Sequence, residues 1–384
     1  MQKGDSITKT EKAMKHLNPV AEQRLIKLAE TLVDQRRARV VIPPQQAGSG
    51  FWFGGGNMVE APDGSLVLVG RYRNQGDSRT GLGLGQRGLE LAIFRSTDNG
   101  ESFTKTVSFA KSKLDVGELK VLSIEGCALR TTTDGVELFI STEKTGIPYP
   151  DEFATFLKPG TGVWTVDYAQ ASSVEQLTTA TISTIFQTQD PAVIHMKDPA
   201  VYEASNGDMV LMFCTHPYCW SSSNTAFAVR AADQREFAEP NFSCFPRGSA
   251  WDVAITRGTA IVDVPRIGPF QERQFSLLFY DGGESLRNLE EHQTAVNRPR
   301  GYSCEELGGV AYIIDGDFQN IVRLSRYSPM FVSPHGTGCS RYVDVLATGD
   351  AFYTTWQQSQ DDLSQPLVMT RVDRNEVASL LDSD

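Results

Sequence analysis

Apolar positions near the start of the chain recur at helical spacing. Those that fall on one face are Leu25, Leu28, Leu32 and Val33. Asn18 followed by Pro19 has the residue types of a helix cap and a first helical position. Because Pro43–Pro44 ends the pattern, residues 1–45 are predicted to be an N-terminal helical extension. Its apolar face is predicted to pack on the main body or to cover a partner subunit in a homo-oligomer.

From residue 50 onward the pattern changes to short apolar runs in pairs, with a DG, NG or GD dipeptide between the two runs of the clear copies. Such pairs are typical of β-hairpins. The copies begin at Gly55, Glu125, Asp198, Trp251, Cys304 and Arg341. The first four are about 53 to 73 residues apart, close to the length of a four-stranded propeller blade with long loops.

This repeat predicts that residues 46–384 form an all-β, five-bladed β-propeller. It predicts six blades if the last two copies are separate units. A β-sandwich with irregular hairpins is the alternative, but sandwiches do not usually repeat a hairpin at so long a period.

Charge and composition exclude several classes of partner. The chain of 384 residues carries a formal net charge of −11, which opposes binding to nucleic acid. It has no apolar run of about 18 residues, so no membrane partner is expected. Its start lacks the apolar core of a secretory signal, so a soluble cytoplasmic protein is expected, with a secreted protein as the alternative.

Cysteine and histidine spacing gives no indication of a metal or cofactor. Six cysteines occur without a CxxC pair, several of them inside apolar runs, and buried reduced thiols are expected. Five histidines occur without HxH or HxxxH spacing. We therefore predict no metal and no cofactor.

Residues 96–103, STDNGESF, resemble the Asp-box hairpin of sialidases and other propellers. In such a turn Asp98 would accept backbone hydrogen bonds, Gly100 would take a positive φ and Phe103 would pack inward. The resemblance implies a propeller hairpin on the outside of a blade, not a catalytic role.

Two further blocks resemble the five-bladed glycosidases, the group of arabinanases, xylosidases and invertases. KDPAVYEASNGDMVLMF, which contains Asp198, is similar to their Asp-Pro motif, and IEGCALRTTTDGVELFIST, which contains Glu125, is similar to their Glu-Gly motif. The resemblance implies glycoside cleavage, with the proton donor at Glu125. GYSCEELGGVAYIIDGD loosely resembles a late Tyr-Ser region of sialidases.

Candidate site residues follow from propeller geometry, because the first strand of each blade lines the central channel. The predicted catalytic residues are Glu125, Asp198, Asp252, Glu305 and Glu306, and at most one of the adjacent Glu305 and Glu306 faces the pocket. The predicted substrate-binding residues are Trp52, Asn57, Arg71, Arg73, His216, Trp251, Tyr302 and Arg341.

The leading functional hypothesis is a glycoside hydrolase that acts on a small oligosaccharide or glycan chain end. A carboxylate pair would perform the chemistry, one member as acid and the other as base or nucleophile. One alternative is a polysaccharide lyase that acts on a uronate, with Tyr302 or His216 as base and Arg71 and Arg73 on the uronate. The other is a propeller that only binds glycan.

Overall fold

A computed structural model describes residues 17–74, 88–157, 160–217, 222–284 and 306–382. Within them the chain forms a five-bladed β-propeller. Each blade is an antiparallel sheet whose strands follow one another outward from the centre. The predicted propeller with five blades is therefore confirmed.

The strands of the blades are as follows. Blade 1 holds β2 (Trp52–Gly54) and β3 (Met58–Glu60), which share the innermost position, then β4 (Leu66–Arg73), β5 (Glu90–Ser96) and β6 (Thr104–Ala110). Blade 2 holds β7 (Val121–Thr132), β8 (Gly135–Lys144), β9 (Val163–Ala171) and β10 (Ser183–Phe186). Blade 3 holds β11 (His195–Glu203), β12 (Met209–His216), β13 (Asn224–Arg230) and β14 (Asn241–Phe245). Blade 4 holds β15 (Ile255–Asp263), β16 (Phe275–Gly283), β17 (Leu307–Ile314) and β18 (Val322–Arg323). Blade 5 holds β19 (Ser340–Ala347), β20 (Ala351–Gln358), β21 (Leu367–Asp373) and, outermost, β1 (Arg39–Ile42).

The helices lie outside the sheets. They are α1 (Pro19–Leu32), α2 (Arg374–Asp382) and 3₁₀ turns at Lys111–Leu114, Asp151–Phe156, Glu175–Thr179 and Gly268–Phe270. In the described part of the chain, neither α-helix has the length and apolar character to cross a bilayer.

The first and last parts of the chain meet in blade 5. Strand β1 pairs with β21, with Arg39 opposite Met369 and Ile42 opposite Leu367. The ring is thus closed by hydrogen bonds between strands from the two ends of the sequence. Strand β1 supplies the outermost strand of blade 5 and covers the edge of β21.

Helix α1 forms as the apolar spacing predicts. The Asn18 side chain accepts a hydrogen bond from the Ala21 amide at 2.8 Å, and Pro19 is the first helical residue. Leu25, Leu28 and Leu32 are buried in one core cluster with residues of blades 4 and 5 and of α2. Because this face packs within its own chain, the structure gives no support to a homo-oligomer formed through it.

The innermost strands share an irregularity that determines where their side chains point. The register shifts at Glu125–Gly126 in β7, at Asp198–Pro199 in β11 and at Tyr342–Val343 in β19. Such bulges turn a strand and re-aim its side chains. Asp198 and Tyr342 both have a φ of +54° there, a strained conformation for residues with a side chain.

Two predicted repeat copies are placed differently by the structure. The run after Trp251 is not a hairpin, because β15 passes through Arg257 and Gly258 without turning. The run after Cys304 is not an innermost strand either, since β17 is the third strand of blade 4. Both runs belong to blade 4, so the six predicted copies form five blades and not six.

The turn between β5 and β6 has an internal hydrogen-bond network. Asp98 Oδ1 accepts from the Ser102 amide at 2.9 Å, and Ser96 Oγ accepts from the Gly100 amide at 2.9 Å. Gly100 has a φ of +83°, and Phe103 is partly buried beside the core cluster of blades 1 and 5. These contacts stabilise a tight hairpin on the outside of blade 1.

Candidate functional site

The polar residues of the innermost strands meet at one end of the propeller. The bulges of β7, β11 and β19 bring Glu125, Asp198 and Tyr342 there, while Arg71 reaches it from β4 and Arg257 from β15. Arg71 of blade 1 contacts residues of blades 2, 3 and 5. Side chains from non-adjacent blades can touch only near the axis, so this cluster lies on it.

The charged side chains form a continuous series in which the sign alternates, which we call the axial charge chain. Its members in order are Lys197, Glu125, Arg71, Asp198, Arg257, Glu306 and Arg341. The successive nitrogen–oxygen distances are 3.5, 3.2, 3.9 and 3.2 Å as far as Arg257. Arg257 also binds Glu306, which lies 2.8 Å from Arg341. Pairing of this kind is what allows so many charges to be buried together.

Two glycines make room for this chain. A Cβ atom on Gly55 would lie 1.7 Å from Arg71 Nη1, and one on Gly126 would lie 2.5 Å from Asp198 Oδ1. A side chain at either position would therefore force Arg71 or Asp198 to shift. Gly126 also donates its amide hydrogen to Asp198 Oδ1 at 2.9 Å.

Asp198 is the most densely contacted carboxylate of the cluster. Its backbone amide donates to Ser141 Oγ at 3.0 Å, and its Oδ2 accepts from Arg257 Nη1 at 3.2 Å and from the Tyr342 hydroxyl at 3.4 Å. Burial would raise the pKa of Asp198, but the surrounding cations, first among them Lys197, hold it below its ordinary value. Asp198 is therefore ionised at neutral pH.

Asp281 lies behind Arg257 and is fully buried. It accepts from Arg257 Nη2 at 2.7 Å and from the Tyr342 amide at 2.9 Å. Burial raises the pKa of Asp281 to about 6, although Arg257 opposes the shift. Since both of its contacts are with Arg257 and the Tyr342 backbone, Asp281 holds these two residues in place.

Tyr342 is enclosed by cations. Its hydroxyl accepts from Arg71 Nη2 at 3.2 Å, and its ring lies 4.1 Å from the Arg257 guanidinium carbon. Burial raises the pKa of Tyr342 to about 12, even though the two arginines favour the phenolate. The hydroxyl is therefore protonated and can donate to Asp198.

Glu306 and Arg341 form the edge of the cluster. Despite burial, Arg257 and Arg341 hold the pKa of Glu306 well below its usual range. The Arg341 guanidinium lies 5.1 Å from the centre of the Trp52 ring, which also faces Arg71 at 4.6 Å and Arg73 at 5.7 Å. Trp52 thus fixes the orientation of three arginines by cation–π contact.

Beside these charges lies a small cavity between the innermost strands. A cavity of ≈ 20 Å³ is lined by residues that include Gly56, Cys127, Asp198, Arg257 and Tyr342. That volume holds about one water molecule.

Several predicted site residues lie close together in the structure. At this end of the propeller, the structure places the following residues beside one another: Trp52, Arg71, Arg73, Glu125, Asp198, Glu306 and Arg341. His216 lies close to them, with its Nε2 atom 3.7 Å from Cys214 Sγ. Burial lowers the pKa of His216 well below its usual value. Tyr302 and Glu305 lie outside the described residues.

Three predicted positions are corrected. Trp251 stacks on Tyr280 and donates to the Ser325 carbonyl at 2.8 Å, while Asp252 pairs with Arg323 at 2.8 Å. Both precede β15, so Arg257 takes the axial position that they were expected to fill. Asn57 binds the backbone of Leu129 through both its amide nitrogen and its oxygen, and so links blades 1 and 2.

Four members of the cluster were not predicted: Lys197, Arg257, Asp281 and Tyr342. Lys197 and Tyr342 are direct neighbours of the predicted Asp198 and Arg341, but the bulges that turn both neighbours toward the axis are visible only in the structure. Arg257 lies inside the looser copy that begins at Trp251, where the sequence does not single it out. Asp281 lies in an apolar run, FSLLFYDGG, where a single acid gives little indication of its location.

The cysteine thiols and the possible metal ligands bear on the chemistry that the site could supply. Cys127, Cys214, Cys244 and Cys339 are buried and unbridged, as predicted. Burial raises the pKa of Cys127 and of Cys214 to about 12, so neither is a ready nucleophile. Over the described ranges, no group of three or more His, Cys, Asp or Glu side chains could hold a metal ion.

Comparison with known proteins gives similarity in structure but not in sequence. No family model and no curated protein sequence match this chain. A solved structure named glycoside hydrolase has 10% sequence identity and a TM-score of 0.58, with 93% of this chain and 96% of that chain covered. An α-L-arabinofuranosidase from Podospora anserina in complex with cellotriose has 9% identity and a TM-score of 0.54, with 88% and 96% covered. A β-1,2-mannobiose phosphorylase from Listeria innocua has 11% identity and a TM-score of 0.51, with 89% and 96% covered. The chain therefore has the fold of these carbohydrate-active proteins over nearly its whole length.

Proposed function

We propose that the protein is a glycoside hydrolase that cleaves a small oligosaccharide or a glycan chain end with Glu125 and Asp198. The observation that carries the proposal is the convergence of these carboxylates, from blades 2 and 3, on one nitrogen of Arg71 at 3.2 and 3.9 Å. Glycoside cleavage needs two carboxyl groups on either side of one bond. Arg71 holds both in fixed relation to each other.

The surroundings of the two carboxylates suggest their roles. Asp198 is kept ionised by the cations around it. As an ionised carboxylate it acts as the nucleophile or as the base for a water molecule, and it stabilises the positive charge that develops at the anomeric carbon. Glu125 is the second member, held by Ser123 at 2.8 Å and by Lys197 at 3.5 Å. We assign it the transfer of a proton to the leaving oxygen by elimination, because Asp198 takes the other role.

The structural neighbours support this class of reaction. They include a glycoside hydrolase, an arabinofuranosidase and a phosphorylase of a disaccharide. All three names refer to sugars or to glycosidic bonds, and all three proteins share this five-bladed fold.

The proposal can be tested by activity on a panel of aryl glycosides and oligosaccharides with Glu125→Gln and Asp198→Asn. A third variant, Glu137→Gln, is the matched control. Glu137 is a buried carboxylate of blade 2 that pairs with Arg130 at 2.9 Å and Arg230 at 2.7 Å, away from the axial cluster. It therefore reproduces the loss of a buried ion pair without touching the site.

We expect both site variants to lose at least 10³-fold in kcat/KM, on the order of one essential acid or base, while Glu137→Gln keeps its rate. Circular dichroism checks that all three variants are folded. Unsaturated uronate products, seen by their absorbance, would replace the hydrolase by a lyase. Binding of a glycan without any turnover would contradict catalysis, and equal loss in the control would remove the special role of Glu125 and Asp198.

A further inference from the structure

One carboxylate oxygen of the cluster, Glu306 Oε1, has no hydrogen-bond partner among the described residues. The two arginines that bind Glu306 both contact its other oxygen, Oε2. They are Arg257 and Arg341, the latter at 2.8 Å. Each oxygen of an ionised carboxylate can accept about two hydrogen bonds. Oε1 is therefore an acceptor that the described part of the protein leaves unused.

The other carboxylates of the cluster are occupied on both sides. In Glu125, Asp198 and Asp281, each oxygen accepts at least one hydrogen bond. The donors, in that order, are Ser123 and Arg71, Gly126 and Arg257, and Tyr342 and Arg257. Exposure divides the four in the same way, since the Glu306 side chain is 13% exposed and the others are 6%, 3% and 0% exposed. Glu306 is thus the carboxylate that combines an unused acceptor with access to solvent.

The charges around Glu306 favour a neutral donor at Oε1. The four cations of the axial charge chain are balanced by its three carboxylates together with Asp281. A cation at Oε1 would lie beside Arg257 and Arg341, which repel it, and an anion would be repelled by the carboxylate itself. A hydroxyl group adds no charge and donates a hydrogen.

Glu306 itself is suited to accept a hydrogen and not to give one. Arg257 and Arg341 hold its pKa well below its usual range in spite of burial, so the carboxylate is ionised at neutral pH. An ionised carboxylate only accepts hydrogen bonds. Glu306 is therefore not the proton donor of a glycosidase, although its sequence position made it a catalytic candidate.

Glu306 is a neighbour of the proposed catalytic Asp198. Arg257 Nη1 donates to Asp198 at 3.2 Å, and Nη2 of the same guanidinium donates to Glu306. Since one guanidinium binds both carboxylates, a sugar whose anomeric carbon lies at Asp198 can reach Glu306 with one of its own hydroxyl groups.

We infer that Glu306 determines substrate specificity by accepting a hydrogen bond from one hydroxyl group of the sugar that is cleaved. The two arginines orient the carboxylate before the sugar binds, which reduces the entropy lost on binding. A hydroxyl that donates to an ionised carboxylate makes a charge-assisted hydrogen bond, stronger than one between neutral groups. The inference rests on the proposed function, because it concerns the recognition of the sugar on which Glu125 and Asp198 would act.

Isothermal titration of the whole protein with monosaccharides and their monodeoxy forms tests this contact. The parent sugars are L-arabinose, D-xylose, D-galactose, D-glucose and D-mannose, and each monodeoxy form lacks one hydroxyl group. The test variant is Glu306→Gln, which removes the charge and keeps the length of the side chain. Glu137→Gln is the matched control, because Glu137 also pairs with two arginines, Arg130 at 2.9 Å and Arg230 at 2.7 Å, away from the cluster.

We expect one monodeoxy sugar to bind the wild-type protein about 10- to 100-fold more weakly than its parent, the usual effect of one hydrogen bond to a charged group. In Glu306→Gln this ratio of affinities should fall to less than about 3-fold, while Glu137→Gln keeps the wild-type ratio. A structural effect alone would weaken both sugars equally and leave the ratio unchanged. If circular dichroism shows that Glu306→Gln does not fold, Glu306→Asp keeps the charge, withdraws the carboxylate by one methylene and should also reduce the ratio.

The inference is overturned if every monodeoxy sugar binds as tightly as its parent, if the ratio is the same in Glu306→Gln as in the wild type, or if no sugar binds. The proposed function is tested separately, by cleavage of aryl glycosides. Cleavage without any ratio that depends on Glu306 would leave the hydrolase and remove the role of Glu306. A ratio that depends on Glu306, with no glycoside cleaved, would leave the recognition of the hydroxyl group and remove the hydrolase.

Discussion

Gly126 and Asp198, on the innermost strands of neighbouring blades, are in direct contact. The Gly126 amide donates to Asp198 Oδ1 at 2.9 Å, and a Cβ atom on Gly126 would lie 2.6 Å from the Asp198 Cα atom. The contact involves backbone on both sides, and Asp198 already has a φ of +54°. Neither partner can move away without changing the bulge that aims the carboxylate.

We therefore expect Gly126→Ala to displace the Asp198 carboxylate and to lower kcat/KM by about 100-fold or more, since a shift of about 1 Å is enough for that. The measurement is the rate on the best substrate of the glycoside panel. Overpacking should also reduce the free energy of unfolding by about 1–3 kcal/mol. Gly349→Ala is the control, because a Cβ atom there meets nothing within 4 Å. An active Gly126→Ala enzyme would show that the placement of Asp198 is not critical.

The Tyr342 hydroxyl links Arg71 to Asp198 at 3.2 and 3.4 Å. Because Tyr342→Phe removes a hydrogen bond to each of two charged groups, we expect kcat/KM to fall by about 10- to 100-fold. KM should change less than kcat if the hydroxyl mainly orients Asp198 in the transition state.

Tyr353→Phe supplies the comparison for Tyr342→Phe. Tyr353 is also buried and its hydroxyl also accepts from an arginine, Arg371 at 3.3 Å, but on β20 away from the cluster. If both variants lose activity equally, the effect comes from general destabilisation and not from the contact with Asp198.

The sequence predicts Glu125 and Asp198 because each lies in a hairpin copy whose first strand has the innermost position. It fails at Trp251 and Asp252 for a physical reason. The innermost strand β15 begins only at Ile255, so Trp251 and Asp252 precede it, and Arg257 on this strand reaches the axis in their place. The run WDVAITRG does not indicate at which residue the strand begins.

Glu306 illustrates a second limit. It precedes β17, the third strand of blade 4, yet its carboxylate reaches Arg257 and Arg341 on the innermost strands of blades 4 and 5. Strand periodicity assigns a residue to a blade and a face, but it does not predict which side chains cross from an outer strand to the axis. Contacts of this kind depend on three-dimensional closure and are visible only in the structure.

Asp344 gives the fold a predictable pH dependence. It is buried on β19, its Oδ2 accepts from the Met58 amide at 2.8 Å, and burial raises its pKa from 3.8 to about 7. The folded state therefore binds the Asp344 proton more tightly than the unfolded state does. The resulting stability is fully present below pH 4 and is lost as the pH rises through 7, at up to about 1.4 kcal/mol per pH unit.

Asp344→Asn isolates this contribution, because the amide keeps an oxygen for Met58 and does not titrate. Urea unfolding at several pH values should show the variant becoming more stable relative to the wild type between about pH 4 and pH 7. Asp281, with its pKa of about 6, changes the stability of both proteins in the same direction and so cancels from the difference. A difference that is constant with pH would show that Asp344 has an ordinary pKa.

Closure of the ring by β1 can be tested with two residues of the same strand. Ile42 is 2% exposed and packs in the core cluster of blades 1 and 5, whereas Val40 is 49% exposed. We expect Ile42→Ala to reduce the free energy of unfolding by about 2–5 kcal/mol, the usual cost of truncating a buried isoleucine. Val40→Ala should change it by less than about 0.5 kcal/mol. Denaturant unfolding with circular dichroism measures both. Unfolding of both variants at the same denaturant concentration would contradict this prediction. It would show that the ring is stable without the packing of β1.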